Sequence, residues 1–363
     1  MKKALIAMSG GVDSSVAALL TQQAGYDCIG VTMKLFENED VGIKREKTCC
    51  SLEDVEDARS VACRLGMPYY VFNFEAAFGE KVMDRFADAY LHGRTPNPCI
   101  DCNRFLKFDQ LFQRMQELDM DTIVTGHYAR VSYDKTKKRW LLQKGVDAQK
   151  DQSYVLYHLT QTQLAHTWFP VGELSKSQVR EFAGQHGFLN AEKPDSQDIC
   201  FVPDGDYAGF IERYTKTHSQ PGAFLNKKGE RIGTHKGILH YTIGQRRGLG
   251  ISAEKPLYVC RICPAENTVT LGEKEMLFAR ALTAEDVNLI SCDHLSVPTP
   301  VEAKIRYRQP AQPAKAWITP DGKLHVVFDT PQRAITRGQA VVLYDGDNVV
   351  GGGTITDVRN ETE

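Results

Sequence analysis

Ser9-Gly10-Gly11-Val12-Asp13-Ser14-Ser15 gathers three hydroxyls, one carboxylate and two glycines in seven consecutive positions. The apolar run Ala4-Leu5-Ile6-Ala7-Met8 precedes it and Ala17-Ala18-Leu19-Leu20 follows, the order of a strand, a glycine turn and a helix start. Glycines let backbone N–H groups approach an anion, serines add donors, and a helix N-terminus adds partial positive charge. The stretch is suited to phosphate. It lacks the lysine of GxxxxGK[ST] and the spacing of GxGxxG, so neither the common nucleotide-triphosphatase loop nor a dinucleotide fingerprint fits.

Thiols form the second reactive set. Ten cysteines in 363 residues are too few for a disulfide scaffold and fit reduced thiols in a cytoplasmic protein. Cys99 and Cys102 lie in Gly93-Arg94-Thr95-Pro96-Asn97-Pro98-Cys99-Ile100-Asp101-Cys102-Asn103, whose prolines and asparagines predict an extended, accessible loop. Cys200 lies in a polar segment, Lys193-Pro194-Asp195-Ser196-Gln197-Asp198-Ile199-Cys200-Phe201. Cys28 and Cys63 fall in strand and helix patterns and are expected in the core, whereas Cys49-Cys50 before a helix suit either a structural or a reactive role. Cys260-x-x-Cys263 pairs poorly with Cys99-x-x-Cys102 as a zinc site, because the halves lie far apart in sequence and strand residues three apart face opposite ways.

The elements that must position these groups alternate. Strands are expected at 4–8, 28–33, 69–72 and 122–125, with helices at 52–65, 78–91, 105–118, 159–164, 177–186 and 207–214. This is a doubly wound α/β pattern with a mainly parallel sheet, whose ligands sit at strand carboxyl ends, where Ser9, Met33 and Gly126-His127 all fall. From Gly222 onward short alternating runs broken by glycine and proline read as all-β. A dip at Glu273-Lys274-Glu275 divides this half, giving expected domains at 1–205, 206–276 and 277–363, the last a β-barrel. The start, Met1-Lys2-Lys3, is followed by too short an apolar run for a secretory leader, and no stretch approaches membrane-spanning length. The formal net charge of -2 excludes a globally basic nucleic-acid coat, so an RNA partner must meet local basic patches.

With these residues in view, SGGVDSS resembles the signature of the PP-loop ATP pyrophosphatases, enzymes that split ATP into AMP and pyrophosphate. Taken with GRTPNPxxxCN at 93–103, TGHY at 125–128, KDQSY at 150–154, DSxxICF at 195–201 and GQRRGLGI at 244–251, the chain resembles the bacterial tRNA-specific 2-thiouridylases over nearly its whole length. The resemblance implies a nucleophile at Cys102 and a persulfide carrier at Cys200. It further implies ATP contacts at Ala7, Met8, Ser9, Gly10, Gly11, Val12, Asp13, Ser14, Met33 and Gly126. Cys99 stands where other members carry aspartate, which opens a second route in which Cys99, Cys102 and Cys200 ligate an iron–sulfur cluster. Either Cys102 frees sulfide from the Cys200 persulfide, or the persulfide attacks first and Cys102 closes a disulfide with Cys200. Asp13 is a candidate for Mg²⁺ on the ATP phosphates or for a first-turn helix carboxylate.

On the RNA side, Val301 to Arg308 alternates so that Lys304, Arg306 and Arg308 are expected to share one strand face as a basic ridge. The resemblance implies tRNA contacts at Asn97, Pro98, Cys99, His127, Lys150, Asp151, Gln152, Arg306, Tyr307 and Gln339, with Gln245-Arg246-Arg247 as a further basic loop. His127 could equally brace its own loop. The expected partners are the anticodon loop of wobble-uridine tRNAs and an upstream persulfide donor, a cysteine desulfurase or sulfur-relay protein. A PP-loop synthetase acting on a small molecule would need no cysteine pair, and a non-catalytic RNA-binding protein would need no ATP loop.

Overall fold

Both faces of the first strand are buried: Leu5 and Ala7 join one hydrophobic cluster, and Ala4, Ile6 and Met8 join another. An apolar run without polar alternation is what a parallel strand covered by helices on both sides requires. The computed structural model describes residues 1–37, 52–195 and 199–359. In chain order its first half holds β1 (Lys3–Ala7), α1 (Val12–Gln23), β2 (Asp27–Lys34), α2 (Leu52–Arg64), β3 (Tyr69–Asn73), α3 (Glu75–Phe78), α4 (Asp84–Leu91), α5 (Pro98–Asp101) and α6 (Leu111–Glu117). It continues with β4 (Thr122–Val124), β5 (Ala129–Asp134), β6 (Arg139–Lys144), α7 (Gln161–Ala165), β7 (Thr167–Trp168), α8 (Lys176–Gln185) and α9 (Tyr207–Thr215). Five strands form an all-parallel sheet in the order β3-β2-β1-β4-β7. The order reverses between β1 and β4, so a crevice opens at their carboxyl ends, next to Ser9 and Gly126.

The segment expected as an extended loop at 93–103 is instead the start of a helix. Pro98 takes the first helical position, where its missing N–H costs nothing, and the Asn97 side chain caps the turn by accepting from the Cys99 N–H at 3.1 Å. From α5 the chain runs through π-helical turns at Cys102–Gln110 directly into α6. The residues read as loop formers are therefore a helix start signal, and Cys99 and Cys102 ride on its first turns. Similarly, the helix expected at 78–91 starts earlier, with α3 joined to α4 by π-helical turns at Gly79–Met83. Cys28 is buried as expected, but Cys63 is exposed on α2. Cys49 and Cys50 lie outside the described residues.

From Gly222 onward the elements are strands, apart from single 3₁₀ turns at Ile238–His240 and Lys274–Leu277. β8 (Gly222–Leu225), β9 (Arg231–His235), β10 (Tyr258–Cys263) and β11 (Thr268–Gly272) form a small sheet in the order β10-β11-β8-β9. The remaining strands are β12 (Phe278–Leu289), β13 (Thr299–Lys304), β14 (Gln312–Ile318), β15 (Leu324–Arg333), β16 (Ala340–Asp345) and β17 (Asn348–Arg359). Pairing of β12 with both β15 and β17 closes these six into a barrel, which removes exposed sheet edges. The hairpin β5–β6, which sequence patterning missed, leaves the first half and joins the barrel's β17 through Gln143 opposite Asn348. One continuous core likewise spans the halves, with Phe86, Leu106 and Phe201 in the same cluster as Ala340, Val342 and Tyr344. Among the described residues no helix is long and apolar enough to cross a membrane.

Gly10 sits at φ +73°, and a Cβ there would stand 2.4 Å from the Asp54 carbonyl oxygen. We expect Gly10→Ala to lower stability by at least about 1–2 kcal/mol through the left-handed backbone alone, with the clash adding to it. Urea unfolding midpoints of the two proteins check this.

Candidate active site

The serine loop is held from inside. The Ser14 hydroxyl accepts from the Ser9 N–H at 3.2 Å and donates to Gly11 O at 2.9 Å, and the Ser15 hydroxyl donates to Gly11 O at 3.1 Å. Behind it, the buried Asn190 amide donates to Gly10 O and the Ser15 hydroxyl, both at 2.9 Å. The side chains of Ala7, Met8 and Val12 turn into the core, which leaves only backbone to face the crevice. Gly126 closes the opposite wall, since a Cβ there would stand 2.6 Å from the Ser14 nitrogen. Met33, at the end of β2, packs against the same cluster as Leu5 and Ala7.

Asp13 lies in the first turn of α1, as the helix-carboxylate reading expects, and its carboxylate is paired. Lys176 Nζ donates to its two oxygens at 2.7 and 2.8 Å, and the Tyr128 hydroxyl donates to Oδ1 at 2.7 Å. Burial, with Asp13 beside it, raises the Tyr128 phenol far above its ordinary value, so it stays a donor. Lys176 Nζ also lies 2.7 Å from Asp195 Oδ1, while Lys150 takes Asp195 Oδ2 at 2.7 Å and Arg180 stands at 3.7 Å. Burial raises the Asp195 carboxyl, but the bonds from Lys150 and Lys176 outweigh it and hold the group below its ordinary value. Asp147 joins the cluster by accepting from the Lys176 N–H at 3.0 Å, so Lys150, Lys176 and Arg180 face three carboxylates beside the serine loop. Lys176, Tyr128 and Asn190 escaped sequence reasoning. Only the Ser175 capping signal, which places Lys176 at the first position of α8, hinted at a fixed lysine.

The thiol segments share one support. Arg85 of α4 lies 3.4 Å from Asp101, and its neighbour Phe86 meets the Phe201 ring edge-on at 5.3 Å. Consecutive residues of α4 thus hold the residue before Cys102 and the residue after Cys200. Burial pushes the Asp101 carboxyl up to about 6 against the pull of Arg85 and Arg104. Cys102 and Cys200 are partly buried against the same core, and Cys99 is exposed. Ser196, Gln197 and Asp198 lie outside the described residues. Among the described residues no set of three His, Cys, Asp or Glu side chains is placed to hold a metal.

The barrel reaches this helix directly. Gln339 donates to Thr95 O at 2.9 Å and Pro96 O at 3.3 Å, and the Thr95 N–H donates to Arg337 O at 2.9 Å. Arg104, one turn beyond the thiols, forms an ion pair with Asp286 of β12. Tyr307 is close enough to Cys99 for their charges to interact, and burial pushes its phenol up to about 12.

The expected basic ridge does not form. β13 ends at Lys304, so alternation stops before Arg306. Lys304 lies over the rings of Tyr154 and Tyr307. Arg306 turns inward and donates to Ala334 O at 2.8 Å and the Thr336 hydroxyl at 2.9 Å, joining the β13–β14 and β15–β16 connections rather than facing outward. Exposed guanidinium groups are instead found at Arg246, Arg247 and Arg308. His127 is buried between the Phe108 and Phe169 rings, with Nδ1 2.6 Å from the Thr125 hydroxyl, and burial holds it well below its ordinary pKa. It braces its loop. Asp151 accepts from Gly145 and Ser153, and Gln152 accepts from the Tyr128 N–H at 3.0 Å, so these two side chains also serve the scaffold.

Comparison with known proteins follows the same division. Residues 2–204, 208–273 and 279–355 match, in turn, the families described as tRNA methyl transferase HUP domain, tRNA methyl transferase PRC-barrel domain and aminomethyltransferase beta-barrel domain. The tRNA-specific 2-thiouridylase MnmA of Clostridioides difficile is 52% identical over 98% of each chain. Its counterpart in Acetivibrio thermocellus is 53% identical over 98% of this chain and 99% of that one. A solved 4-thiouridine synthetase–RNA complex with bound ATP aligns with 59% of this chain and 51% of that one, at 16% identity and a TM-score of 0.37, too distant to carry an argument.

A histidine buried neutral costs stability once the unfolded chain can take up the proton. His127, whose folded pKa is depressed, contributes stability that is present above pH 6.5 and is lost as pH falls below it, at about 1.4 kcal/mol per unit. His158, lowered to about 4 by burial, adds to the same loss. Unfolding midpoints measured from pH 7.5 to 5 should fall, and His127→Gln should flatten the fall by about one proton.

Proposed function

This chain belongs to the family of tRNA-specific 2-thiouridylases, and from that premise we propose how its own residues divide the work. The protein is an ATP-dependent tRNA uridine 2-sulfurtransferase. One observation carries the division of labour: Asp195, in the segment that leads to Cys200, shares Lys176 with Asp13 of the serine loop. We assign the chemistry to residues 1–205 and the grip on tRNA to 206–276 and 277–363.

The C2 oxygen of uridine is a poor leaving group, and adenylation converts it into the leaving group AMP. In this reading Ser9, Gly10, Gly11 and Ser14 surround the phosphates, the backbone from Ala7 to Val12 lines the cradle, and Met33 and Gly126 border the adenosine. Asp13 offers hard oxygens that suit the Mg²⁺ carried by ATP, and the ion when bound neutralises phosphate charge. Sulfur arrives from an upstream donor as a persulfide on Cys200. Whether Cys102 first frees sulfide or the persulfide first attacks C2, the balance is the same. The transferred sulfur gains two electrons, Cys102 and Cys200 lose them as a disulfide, and AMP departs. A reductant must therefore restore both thiols before the next turnover.

Asn97, Pro98 and Cys99 border the target base, which has to leave its stack, and a single-stranded anticodon loop makes that easier. Tyr307 and Gln339 approach from the barrel, whereas Arg246, Arg247 and Arg308 offer exposed charge to phosphates. We place its action in the cytoplasm, together with its tRNA substrate.

A single turnover with persulfide-loaded enzyme and no reductant should leave a Cys102–Cys200 disulfide in stoichiometric yield, read by peptide mass spectrometry. Cys102→Ser and Cys200→Ser should each lose thiouridine formation by about 10³-fold or more, and Cys99→Ser should not; full activity in either of the first two overturns the assignment. Replacing Arg246 and Arg247 with alanine should weaken tRNA binding and reduce the logarithmic salt slope by about one unit per arginine. Filter binding across salt concentrations measures it.

A further inference from the structure

The serine loop holds no lysine of its own, yet a nucleotide cradle that breaks a phosphoanhydride bond needs positive charge where the departing group gathers its electrons. Among the described residues, Lys176 is the cation bonded to a loop residue, at 2.7 and 2.8 Å from the oxygens of Asp13. Its side chain is only 12% exposed, so its charge is weakly screened, and Ser175 fixes the backbone beneath it through a reciprocal cap with Gln178. The rest of the cluster does not use this ammonium up. Asp195 has a second full partner in Lys150 at 2.7 Å and a third in Arg180 at 3.7 Å, and Asp13 has Tyr128. Lys176 can therefore turn toward a phosphate without stranding either carboxylate.

We propose that Lys176 is the charge-stabilising residue of the adenylation step, supplied to the serine loop from α8. This rests on the reading of the serine loop as the ATP site. Uridine O2 forms a bond to the α-phosphorus, and the bond from that phosphorus to the α–β bridging oxygen breaks. The electron pair stays on pyrophosphate, where the Lys176 ammonium meets it, and the N3 proton passes to water. Lys193 has no such role, because it is bound to Asp54 and Asp57 of α2 at 2.7 and 2.6 Å and touches no loop side chain.

The test measures pyrophosphate release from Mg²⁺-ATP in the presence of unmodified tRNA and a persulfide donor, for the full chain and for Lys176→Gln and Lys176→Arg. Lys176→Gln should lower kcat for pyrophosphate release by about 10²-fold or more, with KM for ATP shifted far less and tRNA affinity retained. Lys176→Arg should recover a measurable part of the rate. Two results overturn the proposal: a glutamine variant that releases pyrophosphate at the parental rate, or loss of tRNA affinity and folding in both variants, which would make Lys176 a structural strut. Parental protein that releases no pyrophosphate at all would overturn the ATP reading itself, a distinct outcome.

Discussion

One ammonium between two carboxylates organises this molecule. Lys176 binds Asp13 on one side and Asp195 on the other, and so joins the first helix of the chain to the segment before Cys200. A partly buried ion pair gains little net stability, because desolvation opposes the attraction, but it is costly to leave half made. That asymmetry favours register over strength. The loop, α8 and the segment before Cys200 are tied together through this one ammonium.

The same logic extends along Lys150 to Tyr154. Lys150 holds Asp195, Gln152 holds the loop after β4, the Ser153 hydroxyl lies 3.2 Å from that of Tyr344, and the Tyr154 hydroxyl donates to Ala340 O at 2.9 Å. Five residues thus reach the sulfur segment, the nucleotide crevice and the barrel. A motif that reads as a polar loop for RNA is, residue by residue, mostly a fastening. The barrel in turn secures Thr95 and Pro96 ahead of the thiol helix.

Much of the α/β half was legible because its physics is local. Both-face burial makes β1 a continuous apolar run, and a glycine turn before a helix announces the phosphate cradle. What was illegible depends on partners distant in sequence. Apart from the Ser175 cap, nothing near Lys176 marks it, since its carboxylates lie at positions 13 and 195. The inward turn of Arg306 depends on Ala334 and Thr336, and the hairpin β5–β6 is stabilised by a strand near the C-terminus. The helix start at Pro98 was legible in principle, for proline after asparagine is a cap signal as much as a loop signal. Pro96 and Asn103 on either side carry loop propensity that masks this signal.

The hairpin has a consequence for synthesis of the chain. β6 pairs with β17, and Gln143 bonds Asn348 at 3.0 Å across 205 positions. A ribosome delivers the N-terminal half long before β17 exists. Until then one hairpin edge and the core surface later covered by Ala340, Val342 and Tyr344 face solvent. Domains made early usually fold as units while synthesis continues, but this one finishes only when the last strand emerges. The hairpin edge and this core surface are therefore covered only during translation of the final third of the chain.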